Sequence, residues 1–150
     1  MIVNKETLLD FAPIRDMLRT KEKHNGKSHG LTECGYDIRI QQDVWMFPGR
    51  RFVLASSLEE FNMPDCLMGR VLNKSTWARQ GLDASMTTNI EPGWKGFLTL
   101  ELRYCGFWPL RIKAGTGIAQ VIFEEIMTPA VYVGKYQNQE SRPVKAIASV

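Results

Sequence analysis

A chain of 150 residues that is 44% apolar and 23% charged has the composition of one globular domain, large enough to bury about two-thirds of the surface its unfolded form exposes. No apolar run approaches the roughly 20 residues that cross a bilayer, and the opening MIVNKETLLDFAPIRD sets acids and a proline where a signal peptide needs an unbroken apolar stretch, so a cytoplasmic protein without membrane contact is expected. The net charge of +3 is scattered rather than blocked, which excludes a broad nucleic-acid-binding stripe and leaves room for a small anionic ligand.

Along the chain, Leu8, Leu9, Phe11, Ile14 and Met17 recur near the helical period and predict a helix within 5–20, limited by Pro13. Residues 21–33 are polar and glycine-bearing and read as a mobile loop. From Gly35 the pattern changes to short β-rich runs, with strands predicted at 36–40, 51–56, 66–72, 96–104, 110–113 and 118–124. Turns are predicted at 47–49, 63–65, 91–93 and 114–117. Many short strands and few helices favour a mainly β single domain, a sandwich, jelly roll or distorted barrel, with no repeat and no linker.

The three cysteines, Cys34, Cys66 and Cys105, are odd in number and far apart, with no C-x-x-C pair. They argue against a disulfide framework and a cysteine-rich metal site, and are expected as buried free thiols. Both histidines, His24 and His29, lie in the polar stretch TKEKHNGKSHG. A zinc-dependent base deaminase needs a histidine closely followed by a catalytic glutamate and then P-C-x-x-C, because the metal takes three protein ligands and one water. That constellation is absent from the sequence, and no protein-bound metal is expected.

Four stretches could carry chemistry. In the strand 96–104, alternation puts Leu98, Leu100, Leu102 and Tyr104 on one face and Phe97, Thr99, Glu101 and Arg103 on the other; the second face is either solvent or a cleft. In Lys74-Ser75-Thr76-Trp77-Ala78-Arg79, two hydroxyls lie between two cations after an apolar strand. Such a segment is suited to phosphates through charge-assisted bonds, or is simply an amphipathic turn with Trp77 in the core. The turn Asn89-Ile90-Glu91-Pro92-Gly93-Trp94 carries a glycine against which a ligand could lie; turn geometry explains Pro92 and Gly93 but not Glu91. Finally, Gly134-Lys135-Tyr136-Gln137-Asn138-Gln139 begins a polar, aromatic tail, 134–150, that either folds over a bound nucleotide or frays.

Taken in this order, these stretches resemble the dCTP deaminase family, relatives of the trimeric dUTPases. The resemblance begins at Cys34-Gly35-Tyr36-Asp37-Ile38-Arg39 and runs through Pro48-Gly49, Phe52-Val53-Leu54-Ala55-Ser56 and Leu67-Met68-Gly69-Arg70-Val71. It continues through Lys74 to Leu82, Ile90 to Gly96, Leu98 to Glu101, Ala114-Gly115, Ile118-Ala119-Gln120 and Gly134 to Gln139. It implies a dUTPase-like fold and hydrolytic deamination of dCTP to dUTP and ammonia, with Glu101 as the proton shuttle and Ser75 and Arg79 completing the site. Lys74, Ser75, Thr76 and Arg79 would meet the triphosphate or sugar, with Gln120, Lys135, Tyr136 and Gln139 joining from neighbouring elements. Trp77, Ala78, Thr88, Asn89, Glu91, Thr99 and Leu100 would lie along the substrate. The resemblance further implies a homotrimer with sites between subunits and Mg²⁺ carried on the triphosphate, without zinc or nucleic acid. dUTP and dTTP would be the other nucleotides met, as product or inhibitor.

The chemistry fits one carboxylate: water must lose a proton as it attacks C4, and N3 and then the leaving amine must each gain one, which a partly buried glutamate can do in sequence. Against the family pattern, 81–91 is one residue shorter than in some relatives, around Thr87, Thr88 and Asn89, and Tyr104-Cys105 replaces an Asn followed by a small hydroxyl residue. The dUTPases carry aspartate at the Glu91 position and a glycine-rich arm with a phenylalanine, features not found here. These differences argue against a bifunctional dUMP-forming enzyme or dUTPase, which is kept as the same-fold alternative beside a non-catalytic nucleotide-binding trimer.

Overall fold

The computed structural model describes residues 1–148 and is built mainly from strands. In chain order they are β1 (Ile2–Val3), β2 (Lys21–His24), β3 (Lys27–Leu31), β4 (Tyr36–Arg39), β5 (Val44–Met46), β6 (Phe52–Asn62), β7 (Leu67–Asn73), β8 (Leu82–Asp83), β9 (Asn89–Ile90), β10 (Lys95–Tyr104), β11 (Leu110–Ile112) and β12 (Gly117–Glu125). Helices α1 (Lys5–Phe11) and α2 (Ser75–Ala78) and a 3-10 turn at Ser85–Thr87 complete the elements. A seven-stranded sheet runs β2-β3-β4-β12-β7-β9, with β1 on β12; a second sheet runs β6-β10-β8; β5 and β11 form a ribbon. The mainly β, jelly-roll-like class expected from the strand pattern is the one observed, with sheets that do not close into a barrel.

The core follows from alternation. Leu98, Leu100, Leu102 and Tyr104 of β10 are buried while Thr99 and Glu101 are half-buried on the other face, and each fully buried aliphatic side chain contributes about 1.5–3 kcal/mol. β12 is the centre of the large sheet, pairing with β4, β7 and β1. Its Ile118 is the extra residue of a bulge between Gly117 and Ala119, so Ile118 and Ala119 are both buried and the alternation restarts with Gln120 on the opposite face.

The structure corrects several boundaries. The N-terminal helix stops at Phe11, because Ala12 turns left-handed (φ 45) before Pro13 and its N–H bonds to Leu8 O; Ile14 instead bridges to Phe61 of β6. The stretch 21–33 is not a loop but the hairpin β2–β3, in which His24 pairs with Lys27 across Asn25 (φ 51) and Gly26 (φ 73). Two positive φ values at Asn-Gly are what a two-residue hairpin turn demands. β6 runs on to Asn62, past the predicted end at Ser56. A bulge opposite Leu98 buries Ala55, Ser56 and Ser57 in succession and breaks the alternation, and the Ser57 hydroxyl takes over the ladder by accepting the Leu98 N–H at 2.8 Å. β1, β5, β8 and β9 fall outside the predicted strands. Among the cysteines, free as expected, Cys34 and Cys105 are exposed rather than buried.

Two buried titratable groups lie where the sheets meet. Glu59 of β6 receives Arg39 Nε at 2.8 Å and the Arg39 N–H at 2.7 Å, tying β6 to β4; burial pushes its carboxyl up, and the bonds from Arg39 oppose that shift. His29 of β3 is 4% exposed, and its Nδ1 has no hydrogen-bond partner. Burial, then Arg39, hold the imidazole below its usual range, with Glu22 opposing.

Candidate active site

Glu101 is placed from both edges of β10. Leu54 of β6 stands directly across from it. On the other edge β8 pairs only with Arg103 and Tyr104, and the 3-10 turn takes over, Thr87 Oγ1 accepting the Glu101 N–H at 2.9 Å. Alternation turns the side chain away from the core into a cavity of ≈ 430 Å³, so the less buried face of β10 is a cleft. Ile90, Trp94 and Leu98 give that cavity apolar walls, Thr88, Asn89, Glu91 and Thr99 give it polar edges, and Phe52 and Leu54 stand beside Glu101. Apolar walls with a few convergent polar groups suit a flat heterocycle. Among the described residues the Glu101 carboxylate has no hydrogen-bond or ion-pair partner, and no lysine or arginine lines the cavity. Thr88 is held at φ 69 and ψ −138, a strained conformation for a β-branched residue that costs about 1–3 kcal/mol. It is fixed by Val71 N–H donating to its carbonyl at 3.1 Å and by its own N–H donating to Ser85 O at 3.2 Å.

The tail closes this cavity from above. Trp94 Nε1 donates to Tyr136 O at 2.7 Å, Lys95 N–H to Gln137 Oε1 at 2.6 Å, and Phe97 N–H to Gln139 O at 2.9 Å. Thr99 Oγ1 donates to Gln139 Oε1 at 2.8 Å and accepts the Val144 N–H at 3.0 Å, and Tyr132, Tyr136, Gln139, Val144 and Ala146 complete the lining. The approach allowed by the glycines is thus taken by the chain itself: a Cβ on Gly96 (φ 126) would lie 2.5 Å from Gln139 N, and one on Gly93 would lie 2.9 Å from Val131 Cγ1. Lys135 lies outside the lining, over the Tyr136 ring at 5.4 Å and bonded to Ile147 O. The last two residues of the 134–150 tail are outside the described residues.

A second, polar cleft of ≈ 410 Å³ gathers Lys74, Ser75, Thr76 and Gln120. Lys74 is not a free cation there, since its ammonium is held by the Asp37 carboxylate and donates to Ser28 Oγ at 3.1 Å. Gln120 Nε2 donates to Thr32 Oγ1 at 3.1 Å. Trp77 is core, buried with Nε1 on Gly117 O at 2.7 Å, and this anchor fixes α2 so that Ser75, Thr76, Ala78 and Arg79 face outward. Among the described residues Arg79 has no ion-pair partner.

The residues expected at one site therefore form two groups in the single chain: Thr88, Asn89, Glu91, Thr99, Glu101, Tyr136 and Gln139 at the first cavity, and Lys74, Ser75, Thr76 and Gln120 at the second. Leu100 is fully buried on the opposite face of β10 and offers a ligand no side chain. Sequence reasoning missed Leu54, Tyr132 and Val144, which reach the cavity through strand register or tail packing and leave no local signal. It also missed Asp37, buried and charged within the quoted Tyr36-Asp37-Ile38 run.

Residues 10–126 match the model of the dCTP deaminase-like family. The chain belongs to this dCTP deaminase-like family. A dCTP deaminase of Campylobacter concisus is 33% identical over 176 residues, spanning 93% of this chain and 89% of that protein. One of Chlamydia caviae is 40% identical over 146 residues, spanning 75% and 76%. Among solved structures, EIAV dUTPase aligns with a TM-score of 0.57 at 20% identity, over 82% of this chain and 91% of that one, a likeness of fold. This dCTP deaminase-like chain thus carries the fold of the dUTPases with the sequence signature of the deaminases, and the match to the family model takes in the Ser75 to Arg79 segment and Glu101 alike.

Proposed function

We propose that the chain hydrolyses the C4 amino group of dCTP, giving dUTP and ammonia, with Glu101 moving the protons. The observation that carries this reading is the Glu101 carboxylate, without a partner among the described residues and facing a cavity walled by apolar groups, in a chain one-third or more identical to dCTP deaminases. In the reaction, Glu101 takes a proton from the attacking water and gives it to N3, then takes the remaining proton from the hydroxyl now on C4 and delivers it to the amine, which leaves as ammonia as the C4–N bond breaks and the C4 carbonyl forms. Ser75 orients the water or the leaving nitrogen, and Arg79 stabilises the charge that develops, a preorganised contribution of a few kcal/mol, as for one oxyanion-hole donor at about 3 kcal/mol.

Ser75 and Arg79 come, in this reading, from a neighbouring copy in a homotrimer. Supporting it, no lysine or arginine among the described residues lines the Glu101 cavity to meet a triphosphate, whereas Arg79 is exposed and lacks an ion-pair partner among them. Tyr136 and Gln139 close over the nucleotide, and Lys135 joins them by turning in from Ile147 O. Mg²⁺ rides on the triphosphate as part of the substrate: Asp37, the buried carboxylate of the second cleft, is committed to Lys74, so the phosphates are its natural ligands, and the ion neutralises charge there. Zinc has no role in this scheme, and among the described residues no three His, Cys, Asp or Glu side chains converge. No described helix is long and apolar enough to cross a membrane.

Incubation with dCTP and Mg²⁺ in the presence of a zinc-selective chelator tests the reading, resolving ammonia, dUTP, dUMP and pyrophosphate. Ammonia and dUTP are the expected products. Appearance of dUMP and pyrophosphate identifies the bifunctional alternative, release of no ammonia identifies a binding protein, and inhibition reversed by zinc overturns the metal-free mechanism.

A further inference from the structure

At Glu101 the edge of β10 is completed by a side chain rather than a strand. β8 contributes backbone pairing only at Arg103 and Tyr104, and two residues earlier the Thr87 hydroxyl oxygen accepts the Glu101 N–H at 2.9 Å. Thr87 is 6% exposed, closes its 3-10 turn through its N–H on Ala84 O at 3.2 Å, and precedes the strained Thr88. Its position is therefore fixed by the backbone on both sides. A hydroxyl can accept two bonds and donate one. The Thr87 proton has no acceptor among the described residues, the Glu101 carboxylate has no donor, and both residues line the same cavity. A buried hydroxyl proton without an acceptor is costly, and a carboxylate is the strongest acceptor in its surroundings.

We propose that Thr87 is a positioning residue for the deamination, its oxygen fixing the strand beneath Glu101 and its proton taken by the Glu101 carboxylate when substrate closes the site, as catalytic hydrogen bonds tighten in the reacting complex. The inference rests on Glu101 as the proton carrier. A bond donated to the carboxylate favours its ionised form, the form that accepts a proton from water, and it confines the side chain to one orientation over the base. Thr87 thereby couples the 3-10 turn, and the Thr88 backbone that follows it, to the reacting group.

The test compares Thr87→Val, Thr87→Ser and Thr87→Ala with Glu101→Gln, by steady-state kinetics across pH. Thr87→Val keeps the shape and removes both bonds. Its kcat should fall by about tenfold or more, KM should stay within about twofold, and the acid limb of kcat/KM should move up by about half a pH unit or more. Thr87→Ser should stay within about threefold of the unaltered chain, with its acid limb in place. Should Thr87→Val fail to fold, Ser and Ala at this position differ only in the hydroxyl, and Ser should be the faster by about tenfold. Equal rates for Ser and Ala, or an unmoved acid limb in Thr87→Val, overturn the inference while a dead Glu101→Gln leaves the function standing. An active Glu101→Gln overturns both.

Discussion

Glu101 stands between two core neighbours along the strand, and alternation turns its carboxylate into a cavity where it lacks a partner among the described residues. Replacing it with Gln preserves size and hydrogen bonding but removes the base. Turnover should fall by at least about a hundredfold, while dCTP affinity, read by competition with a labelled nucleotide, changes much less. A near-normal rate sinks the assignment. This residue was legible in the sequence because the alternation Leu98, Leu100, Leu102 against Thr99, Glu101 is strict. Lys74 was legible only in part. Its position was readable, but its pairing with Asp37 joins residues 37 apart in sequence and depends on β4 and α2 meeting beside β12.

Among the elements, the tail and β10 act as one unit. Gly96 pairs in parallel with Gln139, and the near contact of the two backbones leaves no room for a side chain. Removing residues 134–150 should raise KM and lower kcat, because a closing segment both holds the nucleotide and excludes water. Gly96→Ala should move kinetics in the same direction by forcing the tail away. If both variants match the parent, the segment is only a covering. Element by element, what the sequence hid has a physical cause. The β2–β3 hairpin has an Asn-Gly turn, but its flanks KEKH and KSH are polar and show no buried alternation. β6 hides its second half behind the bulge at Ser57, where a hydroxyl substitutes for a backbone partner.

For the whole molecule, the Ser75 cleft and the Glu101 cavity lie apart in one chain, as the proposed site shared between copies requires. Sedimentation should give a trimer of roughly 51 kDa, three times the chain mass; a monomer at micromolar concentration would contradict sites shared between copies. No single-chain pattern encodes contacts between copies, so the sequence could name candidate residues in both clefts but not their arrangement, Trp77 and Leu100 being core and Lys135 lying outside the lining. The fold's response to acid follows from His29. Because burial lowers its proton affinity, the unfolded chain binds the proton more readily. The associated stability is full above the ordinary value of 6.5 and lost as pH falls through the lowered folded value. The carboxyls of Asp43 and Asp83, both held low by hydrogen bonds, lose their contribution only below 3.8. Glu59, raised by burial, acts in the opposite sense as pH rises above 4.5. Melting temperature should therefore drop more steeply between about pH 7 and pH 5 in the parent than in His29→Gln, which keeps Glu59. Parallel curves would exclude His29 as the cause.

The double engagement of Thr99 sets how the cavity opens. One oxygen gives its proton to Gln139 and accepts the Val144 amide, two residues along the strand from Glu101, so the cover is pinned at two points beside the reacting group. For a nucleotide to enter, these two bonds and the one from Phe97 N–H to Gln139 O would have to part, and the cover would move as a flap. Such a flap moves against the drag of the solvent, whereas proton transfer inside the cavity does not. In glycerol or sucrose solution the pace of the enzyme then reports which of the two is slower: a turnover that declines in proportion to viscosity times the opening of the flap, and one that ignores viscosity times the chemistry beneath it.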